Sequence, residues 1–489
     1  MIHFFKKACL LLITGAFSCT VYSQADSIDA FIKNEMQKRG IPGLQLAIVR
    51  NGSIIKTGNY GFANVQDSIP VSNKTVFTIN SITKAFTGIA IMQLVETGKL
   101  NLSSPVSDYV ADLPASWKPV TIQQLLSHTS GIPDIVDEEE SVLIAGNAAM
   151  AWKMTLALPM DFTPGEKFSY NQTNYLLLGR IIDTLSGMPF SEFIIKEQLI
   201  KAGMSKTIRS GFGATKDIVP NTAAGYTYSK GKLVNMFFSF PPFLQTAAGM
   251  SSTATEMAQW VIALQNMQLL KNKSSLALLW KPAVLNNGKT GGFSGLLNGY
   301  AAGWPIAGRI EHPAAAAVGG GRSAVFVYPA DDLSIIVLTN LSGGSPDSFI
   351  DELAGLFIPD MKAANGFGLS PCVKVLRNEL EKSGYQVAVE QVKKLQKKDA
   401  NFKLAENEIN SWGYKLIAQK KIKDALEIFK LNVSLNPSSS NAFDSLGEIY
   451  AELGDTALAI KNYQQSLQLN PQNTNAAGKI KMLQSTQQK

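Results

Sequence analysis

Cysteine and histidine are both scarce in this chain. Three cysteines occur in 489 residues: Cys9, Cys19 and Cys372. Two of them fall in an N-terminal stretch that reads as a leader. Its removal after Ser23 would leave Cys372 alone, so no internal disulfide is expected, even in a compartment that permits one. The histidines are His3, His128 and His312. Two surviving histidines are too few for a His-rich zinc site, so neither a metal nor a cofactor is expected. Charged residues make up 17% of the chain, and no long run of one sign occurs. The net charge of +7 includes Lys6 and Lys7 of the leader. Roughly the first 370 residues lack the clustered Lys and Arg that a nucleic-acid face needs. No segment after the leader is long and apolar enough to span a bilayer. A G-x-S-x-G nucleophile elbow is also missing.

Hydrophobic residues are 45% of the chain, enough for more than one core, so two domains are expected. The leader has the parts of a secretory signal. Lys6 and Lys7 supply a positive start, Cys9 to Phe17 a short apolar run, and Val21-Tyr22-Ser23 a cleavage site before Gln24. Export to the periplasm or the medium is the expectation. A buried first helix and lipidation at Cys19 are the alternatives; Ala16-Phe17-Ser18 is a poor lipobox.

From Gly43 the residues LQLAIVR, Asn51-Gly52 and SIIKTGNYGFA read as a hairpin, because Asn-Gly tolerates positive φ at both turn positions. Ser81 to about Thr97 reads as a long helix with Gly98 as its C-cap. Strands return at Ala324–Tyr328 and Leu333–Thr339, and Asp351–Phe357 reads as a closing helix. Strands at both ends with helices between predict an α+β domain over residues 24–361, its sheet assembled from distant pieces. Residues 362–373 read as a linker; MKAANGFGLSP, at 361–371, is small, polar and Gly/Pro-containing. Beyond it a 34-residue shift superposes Gly413 on Gly447, Ala425 on Ala459, Phe429 on Tyr463 and Asn436-Pro437 on Asn470-Pro471. That period resembles the tetratricopeptide repeat, so 374–489 is expected to be an all-α unit of stacked helix pairs. Two unrelated amphipathic helix pairs are the plainer alternative.

Ser-x-x-Lys occurs three times. Ser53–Lys56 lies on a predicted strand, where positions three apart point to opposite faces. Ser229–Lys232 lies in a polar turn with nothing to hold it. Ser81–Lys84 opens the long helix, where positions three apart share a face and the amine reaches the hydroxyl. The helix start adds free N–H groups and positive potential. A Ser hydroxyl needs a base to become a nucleophile, and Lys serves only where burial or neighbouring charge lowers its pKa. Ile82, Phe86 and Ile89 are the expected apolar walls. The plainer reading makes Ser81 an N-cap and Lys84 a solvated surface residue.

Five segments in order resemble the serine-hydrolase family of class C β-lactamases, penicillin-binding proteins, D-aminopeptidases and related esterases. They are VFTINSITKAFTGIAIMQLVETGKLNL, TIQQLLSHTSGIPD, PGEKFSYNQTNYLLLG, AAGMSSTATEMAQW and WPIAGRIEHPAAAAVGGGRSAVFVYP. The resemblance runs from about Asp29 to Phe357. It implies the β-lactamase/transpeptidase-like fold, Ser81 as nucleophile, Lys84 beside it, and Tyr170 sharing proton transfer with Lys84. A phenol needs nearby positive charge for that, and Lys84 is its candidate source. Gln172 stands where the family's Tyr-x-Asn motif has Asn; it is one methylene longer, so the reach of its amide is open. The third motif departs further. Ala317-Val318-Gly319 stands where the family has Lys or His, any residue, then Gly. The resemblance implies an oxyanion hole from the N–H groups of Ser81 and Gly320, with Gly319 keeping the edge open. Arg322 is a candidate anion partner in place of the missing cation. His312 lies five residues before Ala317, Lys289-Thr290-Gly291 reads as a coincidence in a loop, and His128 as structural.

The leading expectation is a hydrolase forming an acyl-enzyme on an ester, amide or D-amino-acid peptide. Its partners would be a small-molecule or peptide substrate, and a protein bound by the repeats, with no nucleic acid. A binding protein on a decayed enzyme scaffold and a true β-lactamase are the alternatives.

Overall fold

The computed structural model describes residues 27–487 apart from 138–141, 145–146, 213–217, 238–241, 310–311, 359–360, 362–369 and 419–420. The expected leader, with Cys9 and Cys19, and most of the expected linker lie outside the described residues.

An eight-stranded antiparallel sheet organises the first part of the chain. Its order is Gly299–Tyr300, Pro305–Ala307, Ala314–Gly319, Ser323–Tyr328, Leu333–Thr339, Gly43–Arg50, Ser53–Asn64 and Ile69–Pro70. The join between distant pieces is the pairing of Gly43–Arg50 with Leu333–Thr339, with Leu46 opposite Val337. Both strands are buried along nearly their whole length, so LQLAIVR is an almost unbroken apolar run. Asn51 and Gly52 both take positive φ, 49° and 69°, as the hairpin turn requires.

Each sheet face covers a core of its own. One packs against the helices Thr83–Glu96, Gln172–Ser186 and Ala254–Gln265. The other packs against the helix at 27–39 and Ile350–Ala354. That last helix is shorter than the expected Asp351–Phe357. Thr83–Glu96 is buried on nearly every side, as an all-round apolar helix must be. Phe86 stacks on Trp260 at 3.9 Å between ring centres, and Trp260 stacks on Trp304 at 5.7 Å. Gly88 and Gly303 bring the helix and the 301–304 segment into backbone contact: a Cβ on either would collide with a carbonyl oxygen of the other element. The helix ends as expected, with Gly98 at φ 70°.

The C-terminal part is all helix. Ser370 caps Pro371–Ser383, so that helix begins three residues before the expected 374. The helices Glu406–Ala418 and Ile422–Leu435 form one pair, Ser440–Glu452 and Thr456–Leu469 a second, and Thr474–Gln487 follows. The 34-residue period has a packing cause. Gly413 lies against the Phe429 ring, and Gly447 lies against the Tyr463 ring in the same way. Ala425 and Ala459 are fully buried. Asn436 and Asn470 are the C-caps of the second helix in each pair.

The helical unit sits directly on the sheet domain. Trp412 lines two clefts between them, one shared with Leu297 and the other with Arg39. The N–H of Lys230 donates to Glu452. The helical unit and the sheet domain are therefore in direct contact.

In an exposed helix, Gly→Ala stabilises by about 1 kcal/mol. At Gly447 the added methyl would lie 2.9 Å from the buried Tyr463 ring. Gly447→Ala should therefore destabilise the helical unit by about 1–3 kcal/mol. A lower unfolding midpoint by circular dichroism checks this, and a higher one refutes the packing account.

Candidate active site

Ser81 sits on a 3₁₀ turn, Asn80–Ile82, that leads into the Thr83–Glu96 helix rather than on the helix itself. Asn80 takes φ 46°, a left-handed value that Asn tolerates better than most residues. The Thr83 hydroxyl holds the turn by donating to the Asn80 carbonyl at 2.6 Å. The Ser323 hydroxyl ties it to the sheet through the Ile79 carbonyl at 3.1 Å.

Lys84 is wholly buried. Its Nζ lies 2.8 Å from Gln172 Oε1, 2.9 Å from the Ala247 carbonyl oxygen and 3.5 Å from Ser81 Oγ. Burial lowers its pKa to about 7, with Asp134 pulling it back up. A neutral amine has two N–H donors and one lone pair. The two close carbonyl acceptors take two donors, and the third polar neighbour of the amine is the Ser81 hydroxyl.

Gln172 is the first residue of the Gln172–Ser186 helix, whose N-cap Asn171 accepts from Asn174. Its longer side chain reaches Lys84. Its own N–H donates to both oxygens of Asp134 at 3.0 Å. Asp134 closes this helix start with charge of the stabilising sign. Burial nevertheless raises its carboxyl to about 6, against the backbone N–H bonds that lower it.

Tyr170 stands beside Lys84 and Ser81. Lys84 lies over the face of its ring, 4.6 Å from the centroid, and does not bring the phenol down. Burial pushes the phenol above its usual range, while hydrogen bonds with Ser81 and Gln172 oppose the shift. The group is protonated at neutral pH. His128 is buried at φ 57°; its Nδ1 accepts from the Asn171 N–H at 3.1 Å, and burial together with Lys84 holds its pKa well below normal. The neutral imidazole thus fixes the segment that carries Tyr170 and Gln172.

A cavity of about 250 Å³ opens over Ser81, lined by Tyr170, Gly320, Val318, Pro305, Tyr300, Phe293 and Gly303. Gly319 permits the approach of strand to turn: a Cβ there would collide with the Ile79 carbonyl oxygen. Gly320, at φ 54°, lies against the Asn80 side chain in the same way. The structure therefore assembles Ser81, Lys84, Tyr170, Gln172, Gly319 and Gly320. It does not bring Arg322 to the cavity lining. That guanidinium is buried and turns to Thr78 Oγ1 at 3.5 Å and Met236 Sδ at 3.3 Å. His312 is also elsewhere, 2.8 Å from Asp331. Lys289-Thr290-Gly291 lies in a loop, with Lys289 and Thr290 exposed and Gly291 against Phe168. The other two Ser-x-x-Lys pairs are on a strand and across a hairpin turn.

Sequence reasoning missed Asp134, the Ala247 carbonyl, Phe293 and Tyr300. Asp134 and Ala247 lie within TIQQLLSHTSGIPD and AAGMSSTATEMAQW, and that placement was their signal. Phe293, between glycines in GGFSG, carried none.

The Beta-lactamase family matches residues 28–357, and a Tetratricopeptide repeat matches residues 440–473. The chain belongs to the Beta-lactamase family. Protein flp of Staphylococcus aureus (strain NCTC 8325 / PS 47) is 30% identical over 335 residues, covering 67% of this chain and 65% of that protein. This chain thus spans less than two thirds of that relative's length. The octameric penicillin-binding protein homologue from Pyrococcus abyssi has a TM-score of 0.61 at 27% identity, over 72% of this chain and 81% of that one. The penicillin binding protein from Bacillus halodurans has a TM-score of 0.54 at 29% identity, over 63% and 94%.

Gly319→Ala should separate the Ala314–Gly319 strand from the Asn80–Ile82 turn. The expected result is a loss of about 1–3 kcal/mol in stability, from forced overpacking. An unchanged denaturation midpoint would refute the close approach.

Proposed function

We propose that this chain is a serine hydrolase that forms an acyl-enzyme on Ser81 with an ester, amide or D-amino-acid peptide lacking an essential carboxylate. The observation that carries the reading is the buried Lys84 amine, with its pKa near 7, held by two carbonyls beside the Ser81 hydroxyl.

Lys84 takes the Ser81 proton as the oxygen attacks the substrate carbonyl. The developing oxyanion rests on the N–H groups of Ser81 and Gly320, each worth about 3 kcal/mol in a dry site. Tyr170, protonated and bonded to Ser81, gives its proton to the leaving oxygen or nitrogen and regains one from Lys84. Water then attacks the acyl-enzyme by the same route in reverse. The repeat unit is read as a surface for a protein partner. Export rests on the leader alone; among the described residues, no helix is long and apolar enough to cross a membrane.

The cavity wall supports the neutral substrate class. Ala317, where the family resemblance places Lys or His, is buried in the apolar core, and the cavity lining includes Val318, Pro305, Phe293 and Tyr300 but no charged residue.

Labelling by a fluorophosphonate tests the nucleophile. Intact mass should show one adduct on the wild-type chain and none on Ser81→Ala. The amine is a base only when deprotonated, so labelling should rise with pH through about 7 and level off above it. Lys84→Ala should slow it by about 10²–10⁴-fold. A rate flat from pH 5 to 9, or full labelling of Lys84→Ala, would overturn the assignment.

Nitrocefin provides the substrate test. The missing cation should cost about 10–100-fold in kcat/KM relative to a neutral ester, the worth of one charge-assisted hydrogen bond. Faster nitrocefin turnover than ester turnover would favour the β-lactamase reading instead.

A further inference from the structure

One short turn belongs to two surfaces. Residues 292–297 close on themselves: the Ser294 N–H donates to the Leu297 carbonyl at 3.2 Å, and the Leu297 N–H donates to Ser294 Oγ at 3.1 Å. Gly292 is required there, because a Cβ would meet the Leu297 carbonyl oxygen. Leu297 is buried in the core beneath the sheet, which anchors the turn at one end.

On one side of the turn, Phe293 lines the cavity over Ser81. Its ring centre is 5.1 Å from that of Tyr170 and 5.8 Å from that of Tyr300. The residue is 41% exposed, so its ring forms a wall of the cavity and not part of the core. The other side faces the helical unit. Ser294, Gly295 and Leu296 share a small cleft with Glu408, Ser411 and Trp412 of the Glu406–Ala418 helix. Glu408 lies so close that a Cβ on Gly295 would be 2.5 Å from its Oε1. The Glu406–Ala418 helix is itself held by the Trp412 and Ile409 side chains, buried in the helical core.

We propose that Phe293 determines acyl-group specificity and that the helical repeat unit is its positioning element, holding the 292–297 turn so that the ring closes one wall of the cavity. This rests on the hydrolase reading above and adds the substrate class: acyl groups with an apolar or aromatic face. An apolar or aromatic acyl group laid against the Phe293 and Tyr300 rings that line the cavity gains contact that an acetyl group does not. Because Glu408 bears on the turn from outside the sheet domain, a shift of the helical unit moves the Phe293 wall together with its ring contact to Tyr170.

The test uses the full chain with p-nitrophenyl acetate and p-nitrophenyl phenylacetate, rates being normalised to active sites titrated by a phosphonate. Phe293→Ala should lower the phenylacetate-to-acetate ratio of kcat/KM about tenfold, mostly through KM. Gly295→Asp probes the helical unit. Gly295 has no positive φ, so its backbone accepts a side chain, but the new carboxylate would face that of Glu408. Its ratio should fall in the same direction, and Gly295→Asp combined with Glu408→Ala should recover it. An unchanged ratio in Phe293→Ala overturns the specificity role. A Gly295→Asp defect that Glu408→Ala does not relieve overturns the positioning role. Absence of turnover for both esters, with no adduct on Ser81, removes the hydrolase reading and this inference together.

Discussion

A buried amine with two carbonyl partners and one hydroxyl partner is the constraint around which this domain is arranged. An ammonium ion is expensive to place out of water, and burial lowers the Lys84 pKa to about 7. Each surrounding element has a part in keeping that amine dry and aimed. The Thr83–Glu96 helix, buried on nearly every side, carries it, the 246–248 segment supplies the Ala247 carbonyl, and the Gln172–Ser186 helix supplies the second acceptor. Asp134 completes that helix start and pulls the amine's pKa upward, against the effect of burial. The value near neutrality is the balance of the two.

The neighbours of the amine have their protonation states set by the same dry surroundings. His128 is held neutral and Tyr170 is held protonated. The amine, with its pKa near neutrality, thus lies between two groups that hold their neutral forms. This differs from a scheme in which lysine charge generates a phenolate, and the difference follows from where Nζ lies: over the ring face and bonded to carbonyls.

Close backbone approach holds the elements around the amine together. Gly319 against Ile79, Gly303 against Lys84 and Gly88 against Ala302 let strand, turn and helix meet without side chains between them. The same device recurs in the helical unit, where Gly413 and Gly447 receive aromatic rings at a 34-residue interval. The repeat is visible in the sequence because each unit must present a small residue to the same ring.

Local pattern by itself determined a good deal of this protein. The Asn51-Gly52 hairpin, the long helix ending at Gly98, the Ser81–Lys84 pair and the 34-residue period depend on residues near one another in the chain, where φ preference and periodicity act directly. The five family-like segments also identified Tyr170, Gln172 and Gly320 as candidates. Only the tertiary structure decided which chemistry each would have. Whether Gln172 reaches Lys84, whether Tyr170 loses or keeps its proton, and whether Arg322 enters the cavity depend on distances between segments tens to hundreds of residues apart. Phe293 shows the limit most clearly: its sequence surroundings are plain, and its place between the cavity and the helical unit exists only once both domains are packed together.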